Sequence, residues 1–270
     1  MNFEFLKVQQ EQKVAEVTLM RPDKANALNE KLWNEIGTVF ASLDKTPEVR
    51  AIVLKAEGPH FCAGIDFEFV GSISKRMQGM AEGQKQETLR LFIKSLQHAF
   101  TALEACRKPV IAAVQGVCFG GGIDLIAACD IRHASSDASF SVKEVDVGMV
   151  ADVGTLQRLP PIIGQGRARE LAFTGRVFTA AEAQSMGLIN QLVKTKDEVW
   201  TLAREQAQLI ASKSPLAVRG TKEILNYSRD HSISDGLDYV ATWNAGMLLS
   251  ADMQKSVMAF LTKKPAVYDD

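Results

Sequence analysis

Three carboxylic acids in the middle of the chain have residue types and surroundings suited to proton transfer. Asp124, Glu144 and Asp152 each stand among small or apolar residues. A carboxyl group in an apolar pocket resists ionisation, and several in one pocket cannot all ionise, so their pKa values separate. Such a set can supply both a general acid and a general base near neutral pH. For any one of these acids taken alone, a helix cap or a turn is the alternative role.

Two glycine-containing segments, 58 positions apart, resemble each other. AIVLKAEGPHFCAGID (51–66) and PVIAAVQGVCFGGGID (109–124) each predict a strand, a glycine turn, exposed backbone and an Ile-Asp pair that enters a helix. The identical pairs are Gly58/Gly116, Phe61/Phe119, Gly64/Gly122, Ile65/Ile123 and Asp66/Asp124. If the two units lie side by side, they can direct two backbone N–H groups at one oxygen, which is the arrangement of an oxyanion hole. Chance similarity among common residues is the alternative.

The elements that must position these groups alternate between strands and helices, which predicts an α/β fold. The predicted strands are Val14–Leu19, Ala51–Lys55, Val110–Val114 and a strand pair within Ile131–Val142. Asn29 is the predicted cap of a helix with one apolar face. Residues 71–83 predict a mobile loop, and a long helix carrying Leu89 to Leu103 follows. From about Val199 the pattern is helical only, broken at Ser214-Pro215.

Several longer stretches carry a resemblance to a known family. The stretches are RPDKANALN (21–29), HFCAGID (60–66), KPVIAAVQGVCFGGGIDLIAACDIR (108–132), GTLQRLPPIIG (154–164) and ELAFTGR (170–176). On these motifs the chain resembles the crotonase family, the enoyl-CoA hydratase/isomerase superfamily, along nearly its whole length.

Within that family, KEVDVGMVADVGTLQRL (143–159) is most similar to the Δ3,5-Δ2,4-dienoyl-CoA isomerases. The hydratase branch shares the acid at Glu144. It usually has a glutamate where this chain has Asp124 and a glycine where this chain has Asp152. The combination of three acids therefore favours the isomerase branch.

The resemblance implies both a fold and an assembly. Residues 1–198 are expected to form a crotonase-like spiral of ββα units that holds a CoA thioester site. Residues 199–270 are expected to form an all-helical oligomerisation region, because helices that cannot bury all their apolar faces alone need a partner. The assembly that the resemblance implies is a homotrimer or a hexamer built as a dimer of trimers.

The resemblance also implies the reaction, which converts a 3,5-dienoyl-CoA to the 2,4-dienoyl-CoA. Carried over by position, the oxyanion donors are the N–H groups of Ile65 and Gly121. Glu144 and Asp152 are the expected proton-transfer pair, serving C2 and C6 in an order the sequence leaves open, and Asp124 is the expected supporting acid. No cofactor is expected, because the CoA is part of the substrate.

Further residues are expected to contact the substrate. Those beside the reacting acyl group are Ala63, Gly64, Asp66 and Gly122. Asp66 has the alternative role of capping or stabilising its turn. Those expected at the CoA are Lys24, Ala25, Ala27, Phe260 and Lys263, of which Phe260 and Lys263 would come from a neighbouring subunit. For the two lysines, plain solvation at the surface is the alternative.

Other functions stay open as alternatives. An enoyl-CoA hydratase, or a Δ3-Δ2 enoyl-CoA isomerase that uses Glu144 alone, would have the same fold. An RNA-binding relative would need a lysine-rich helix face. The 31 Lys and Arg residues are balanced by 32 Asp and Glu residues, and no helix concentrates the basic ones, so we expect no nucleic-acid partner.

The composition also bears on metals, membranes and location. The cysteines Cys62, Cys106, Cys118 and Cys129 and the scattered histidines lack metal-ligand spacing, so we expect no metal and reduced cysteines in the core. No apolar run reaches the roughly 20 residues of a membrane span. The N-terminus predicts a strand rather than a signal or transit peptide, and the final Val-Tyr-Asp-Asp is no peroxisomal address. We therefore expect a cytoplasmic protein.

Overall fold

The alternation of strands and helices predicted from the sequence is present in the computed structural model, which describes residues 2–269 and, of residue 74, the backbone alone. The strands are β1 (Leu6–Glu11), β2 (Val14–Leu19), β3 (Ala51–Ala56), β4 (Val110–Val114), β5 (Val117–Phe119), β6 (Ile131–Ser135), β7 (Ser139–Ser141), β8 (Phe178–Thr179) and β9 (Gln191–Val193). The helices are α1 (Glu30–Lys45), α2 (Phe67–Arg76), α3 (Glu82–Ala105), α4 (Gly121–Ala127), α5 (Thr155–Ile163), α6 (Gln165–Thr174), α7 (Ala180–Ser185), α8 (Lys196–Ala211), α9 (Pro215–Tyr227), α10 (Ile233–Met247) and α11 (Ala251–Thr262). Short 3₁₀ helices span Pro22–Lys24 and Glu144–Val147.

The larger sheet has the strand order β1–β2–β3–β4–β6–β9. Strands β1 and β2 are antiparallel, and the other neighbours are parallel. Ile52 pairs with Val110 and Val53 with Ile111, the same offset of 58 positions that relates the two similar segments. The two glycine-containing units therefore lie side by side, as predicted.

Helices cover both faces of the central strands, and this explains why those strands are apolar throughout. Ile52 and Leu54 of β3 belong to the main core, whereas Ala51 and Val53 face α8. Alternate residues of a strand point to opposite faces, so a strand buried on both sides has no polar face. The side chains that α8 buries against this sheet are Val199, Ala203, Ala207 and Ala211.

The C-terminal region is helical from α8 onwards, as its sequence pattern predicted. The predicted boundary between residues 198 and 199 lies within α8, and the packing of α8 on the sheet makes this helix part of the core. Beyond it, Ser214 caps α9 and Pro215 occupies the first turn, which explains the break in the pattern. Several large apolar side chains of α10 and α11 are exposed: Ile233, Leu237, Phe260 and Leu261. Their use in oligomer contacts stays a prediction.

Two local predictions were wrong. Residues 71–83, predicted to be a mobile loop, contain the second half of α2 and the start of α3. The polar face of α2 concealed its helical period. The strands within 131–142 do not pair with each other: β6 joins the larger sheet, whereas β7 lies between β5 and β8 in a second sheet. Neighbouring strands in the sequence entered different sheets because β4 and β5 each offered an edge for parallel pairing.

Candidate active site

The two glycine turns meet at their backbones. Cys62 and Cys118 form a parallel bridge, and the Phe119 N–H donates to the Cys62 carbonyl at 3.0 Å. A Cβ atom added to Gly64 would lie 3.1 Å from the Phe119 carbonyl oxygen and 3.6 Å from the Gly121 nitrogen. Gly64 also has a φ of +97°, which side-chain-bearing residues rarely adopt. The close contact of the two turns therefore depends on a residue without a side chain.

Two backbone N–H groups at this contact have no protein acceptor. Within residues 2–269, neither the N–H of Ile65 nor that of Gly121 donates a hydrogen bond. The residues on either side of Ile65 are paired with Leu28: the Gly64 carbonyl accepts from the Leu28 N–H at 2.8 Å, and the Asp66 N–H donates to the Leu28 carbonyl at 3.1 Å. Ile65 and Gly121 both line one cavity. Buried N–H groups are nearly always paired, so a free pair beside a cavity suits a ligand oxygen.

A buried asparagine holds the first turn in place and explains part of the RPDKANALN motif. The Asn26 amide donates to the carbonyls of Glu57 and His60, at 2.9 and 2.8 Å, and its oxygen accepts from the Arg21 N–H at 2.8 Å. The Ala63 N–H donates to the Ala25 carbonyl at 2.9 Å. These bonds fix the approach to Gly64 from a segment far away in the sequence.

The three acids predicted from the sequence line the same cavity as Ile65 and Gly121. Asp124 comes from the buried helix α4, and Glu144 is the first residue of a 3₁₀ helix. Asp152 lies in the segment that precedes α5. The fold thus brings together acids from three separate elements.

Asp124 is fully buried and only half paired. One carboxyl oxygen, Oδ1, accepts from the Thr155 N–H at 2.5 Å, and the other, Oδ2, is buried without a hydrogen-bond partner. The pKa of Asp124 is raised to about 7, chiefly by burial and further by the charges of Glu144 and Asp152, while hydrogen bonding to Thr155 opposes the shift. Asp124 therefore keeps its proton over much of the range up to neutral pH.

Glu144 and Asp152 are also held back from ionising. Burial raises the pKa of each, and the charge of Asp152 raises that of Glu144 further. Glu144 Oε2 is buried without a partner. Glu144 Oε1 would lie 3.5 Å from a Cβ atom added to Gly120, so the carboxyl group lies against the second glycine turn. The cavity thus holds proton donors and acceptors beside two free N–H groups.

The raised pKa of Asp124 predicts a pH-dependent penalty on folding. In the unfolded chain this group ionises near its ordinary pKa of 3.8, whereas in the folded protein it does so at about 7. Between these values the folded state binds a proton that the unfolded state has released, so stability falls as the pH rises, by up to roughly 4 kcal/mol. We expect the Asp124→Asn variant, which has no charge to bury, to gain stability relative to the wild type between pH 5 and pH 8.

Denaturant unfolding of both proteins at several pH values measures this difference, and the comparison cancels the titration of the groups that do not interact with Asp124. A constant difference in the free energy of unfolding across this range would contradict the raised pKa.

Of the other residues predicted to contact the acyl group, two line the cavity and two do not. Ala63 and Gly64 line it. Asp66 Oδ2 instead accepts from Arg21 Nη2 at 3.0 Å, and Oδ1 accepts from the Glu68 N–H at 3.0 Å. Gly122 packs behind the turn, where an added Cβ atom would lie 2.9 Å from the Cys62 carbonyl oxygen. The described contacts of Asp66 and Gly122 hold the turns together.

The predicted CoA contacts fall into two groups. Lys24, Ala25 and Ala27 lie beside the first glycine turn: Ala25 accepts from Ala63, and Lys24 Nζ lies 3.5 Å from Glu68 Oε1. Phe260 is 85% exposed, and Lys263 directly follows the last residue of α11. Their contact with CoA stays a prediction.

Sequence reasoning missed several residues of the cavity wall. They are Trp33, Lys143, Val147, Met149 and Val153. Trp33 belongs to the apolar stripe of α1, so its pattern did not separate it from the core. The Lys143 ammonium contacts Asp146 and, at 3.4 Å, the Gly175 carbonyl rather than Glu144. The Thr155 N–H that holds Asp124 leaves no mark in the sequence, because every residue type except proline supplies it.

In the part of the chain that the structure describes, no cluster of three or more His, Cys, Asp or Glu side chains could hold a metal ion. The cysteines are all free and buried, as predicted. None of the helices within residues 2–269 has the length and apolar character to cross a membrane.

Comparison with known proteins decides the family. Residues 9–270 match the enoyl-CoA hydratase/isomerase family. The chain belongs to this family. A solved enoyl-CoA hydratase of Bacillus anthracis has the same fold, with a TM-score of 0.89 at 30% identity, covering 98% of this chain and 99% of that one. The predicted crotonase-like fold is therefore confirmed.

Two relatives within the family are considerably more similar in sequence. The peroxisomal Δ(3,5)-Δ(2,4)-dienoyl-CoA isomerase of Arabidopsis thaliana is 47% identical, over 97% of this chain and 94% of its own length. The mitochondrial enzyme of the same name from Rattus norvegicus is 46% identical, over 97% of this chain and 81% of its own length. These names refer to peroxisomes and mitochondria, so the expected cytoplasmic location of this chain stays a prediction.

Proposed function

We propose that this family member is a dienoyl-CoA isomerase, which converts 3,5-dienoyl-CoA to 2,4-dienoyl-CoA. The observation that carries this conclusion is the set of three acids around one cavity, the buried Asp124 and the half-buried Glu144 and Asp152. The relatives named as dienoyl-CoA isomerases, at 46–47% identity, support the same activity. The alternatives with the same fold are less favoured, because the solved hydratase is 30% identical.

The two free N–H groups explain how the first proton can leave. A thioester has a weakly acidic hydrogen at C2, and its removal places negative charge on the thioester oxygen. The N–H groups of Ile65 and Gly121 would receive that oxygen as an oxyanion hole. Each such donor typically lowers a barrier by about 2.7–4 kcal/mol.

The second acid explains why the double bonds move. In a 3,5-diene the enolate is conjugated as far as C6, so a proton lost at C2 can be replaced at C6, which yields the 2,4-diene. The reaction needs one group to accept the first proton and another to deliver the second. Glu144 and Asp152 fill these two roles, and Asp124 supports them by biasing their protonation.

An isomerase of this kind must also keep water away from Glu144. A water ordered beside Glu144 would add to a 2-enoyl thioester, which is hydration. The side chain of Asp152 occupies space beside Glu144 and adds a carboxyl group, so it favours proton transfer over hydration.

The place of the protein in metabolism and its assembly follow from the same proposal. The substrate class suits the β-oxidation of unsaturated fatty acids. The exposed apolar side chains of α10 and α11 support a homotrimer or a hexamer, in which Phe260 and Lys263 reach the CoA of a neighbouring subunit.

Incubation with two substrates tests the activity directly. With 3,5-dienoyl-CoA, we expect the absorbance of the conjugated 2,4-dienoyl thioester to rise. With 2-enoyl-CoA, we expect the alkene absorbance to persist. Efficient hydration of the 2-enoyl thioester with no change in the 3,5-diene would overturn the isomerase assignment.

A further inference from the structure

The segment that carries Asp152 has open space on two sides. Val153 lines the acid cavity and also a second, more polar cavity behind it. The residues around the second cavity include Gln97, Glu104, Gly154 and Arg158. Side-chain packing fixes a backbone where atoms fill the space around it. A wall between two cavities lacks that support and needs other contacts to hold its position.

Polar groups of α3 and α5 supply such contacts. Gln97 Nε2 donates to the Asp152 carbonyl at 2.6 Å. Arg158 Nη1 donates to the Val153 carbonyl at 3.3 Å, and Arg158 Nη2 lies 2.8 Å from Glu104 Oε2. Gln97 and Glu104 are two turns apart on one face of α3. The Asp152 carbonyl is thus bonded to α3 directly, and the Val153 carbonyl is linked to α3 through Arg158.

Helix α3 is a firm support for these contacts. Its buried residues include Leu96, Phe100 and Leu103, which pack in the main core. The Leu96 carbonyl also accepts from the Trp33 indole at 2.8 Å, and Trp33 lines the acid cavity. Helix α3 therefore supports both Trp33 in the cavity wall and the segment that carries Asp152.

We propose that Gln97 is a positioning residue for Asp152: its amide holds the Asp152 peptide so that the carboxyl group meets one reacting carbon of the substrate. This inference rests on the proposed function, in which Asp152 serves C2 or C6. Gln97 does not line the acid cavity and acts only through Asp152. A carboxyl group must lie within about 2.6–3.2 Å of its proton-transfer partner, and a displacement of about 1 Å can cost 10²-fold in rate.

The Gln97→Leu variant tests this role, because it keeps much of the side-chain volume and removes the donor. We expect kcat to fall about 10- to 100-fold, with KM within about twofold of the wild type. Gln86→Leu is the matched control: Gln86 is an exposed glutamine of the same helix that bonds to Glu82. Its kcat is expected to be unchanged.

Hydrogen exchange into the substrate in D₂O separates positioning from general damage. Exchange at C2 and at C6 is followed separately by NMR. We expect Gln97→Leu to slow exchange at one carbon only, the same carbon that Asp152→Asn affects, while exchange at the other carbon persists. Gln97→Glu has no hydrogen-bond donor when it is ionised, so it is expected to slow exchange at the same single carbon. This variant replaces Gln97→Leu in the experiment if the leucine variant does not fold.

The possible outcomes are distinct. Equal loss of exchange at both carbons, or full activity of both Gln97 variants, would overturn the positioning role while leaving the isomerase assignment in place. A wild-type protein that leaves 3,5-dienoyl-CoA unchanged would instead contradict the proposed function.

Discussion

Replacing Glu144 with Gln or Asp152 with Asn is expected to lower kcat by about 10²-fold or more, since positioned acids and bases contribute about 10²–10⁴-fold. Each substitution keeps the size of the side chain and removes its capacity to carry a proton. Neither group is expected to bind CoA, so the affinity for free CoA should barely change. Steady-state kinetics with 3,5-dienoyl-CoA and binding of CoA measure the two effects separately.

The Asp124→Asn variant is the internal comparison. Asp124 lines the cavity but is expected only to tune the protonation of the other two acids, so its loss should be milder. Near-normal turnover in both Glu144→Gln and Asp152→Asn would refute the two-acid mechanism. If Asp124→Asn were the most damaging of the three, the roles assigned to the acids would be wrong.

Gly64→Ala is expected to lower kcat by about 10²–10³-fold, which is the typical cost of losing one oxyanion donor. A Cβ atom at this position would lie 3.1 Å from the Phe119 carbonyl oxygen and 3.6 Å from the Gly121 nitrogen, on a backbone with a φ of +97°. The two turns would have to separate, and the N–H groups of Ile65 and Gly121 would no longer converge. Because an oxyanion hole binds an enolate more strongly than the neutral thioester, the loss is expected to fall on kcat more than on KM.

A matched glycine separates this effect from backbone strain. Gly164 has a φ of +85°, and a Cβ atom added to it would meet nothing within 4 Å. Gly164→Ala is therefore expected to lower stability without lowering kcat, whereas Gly64→Ala lowers both. Equal kcat values for the two variants, measured below their unfolding temperatures, would contradict the role of the glycine contact in catalysis.

Local sequence patterns were sufficient for the elements that carry their own period or cap. Strands β2 and β4 have the predicted bounds, and Asn29 caps α1 by accepting from the Leu32 N–H. The 58-position similarity correctly predicted neighbouring units, because a repeated unit buries its apolar strand beside its copy. The pattern failed at 71–83, where the polar residues of α2 concealed its helical period. It also failed at 131–142, because the sheet that each strand joins depends on the distant strands β4 and β5.

The pair of segments ending in Ile-Asp shows where sequence information stops. Asp66 and Asp124 occupy equivalent positions in the two units. Burial opposes the ionisation of Asp66, but the hydrogen bonds from Arg21 and the Glu68 N–H, together with the charges of Arg21 and Lys24, outweigh it and lower the pKa of Asp66. Asp124 has no cation beside it among the described contacts, and burial with two neighbouring acids raises its pKa to about 7.

The sequence by itself was sufficient to identify the family, the three acids that line the cavity and the two glycine turns, because these depend on residue types and on their spacing along the chain. It could not determine which of two equivalent aspartates stays protonated, or that Gln97 supports Asp152. Desolvation and hydrogen bonding depend on which groups approach within a few ångströms. Here those groups come from Arg21, Glu144, Thr155 and α3, and only the tertiary structure brings them to their partners.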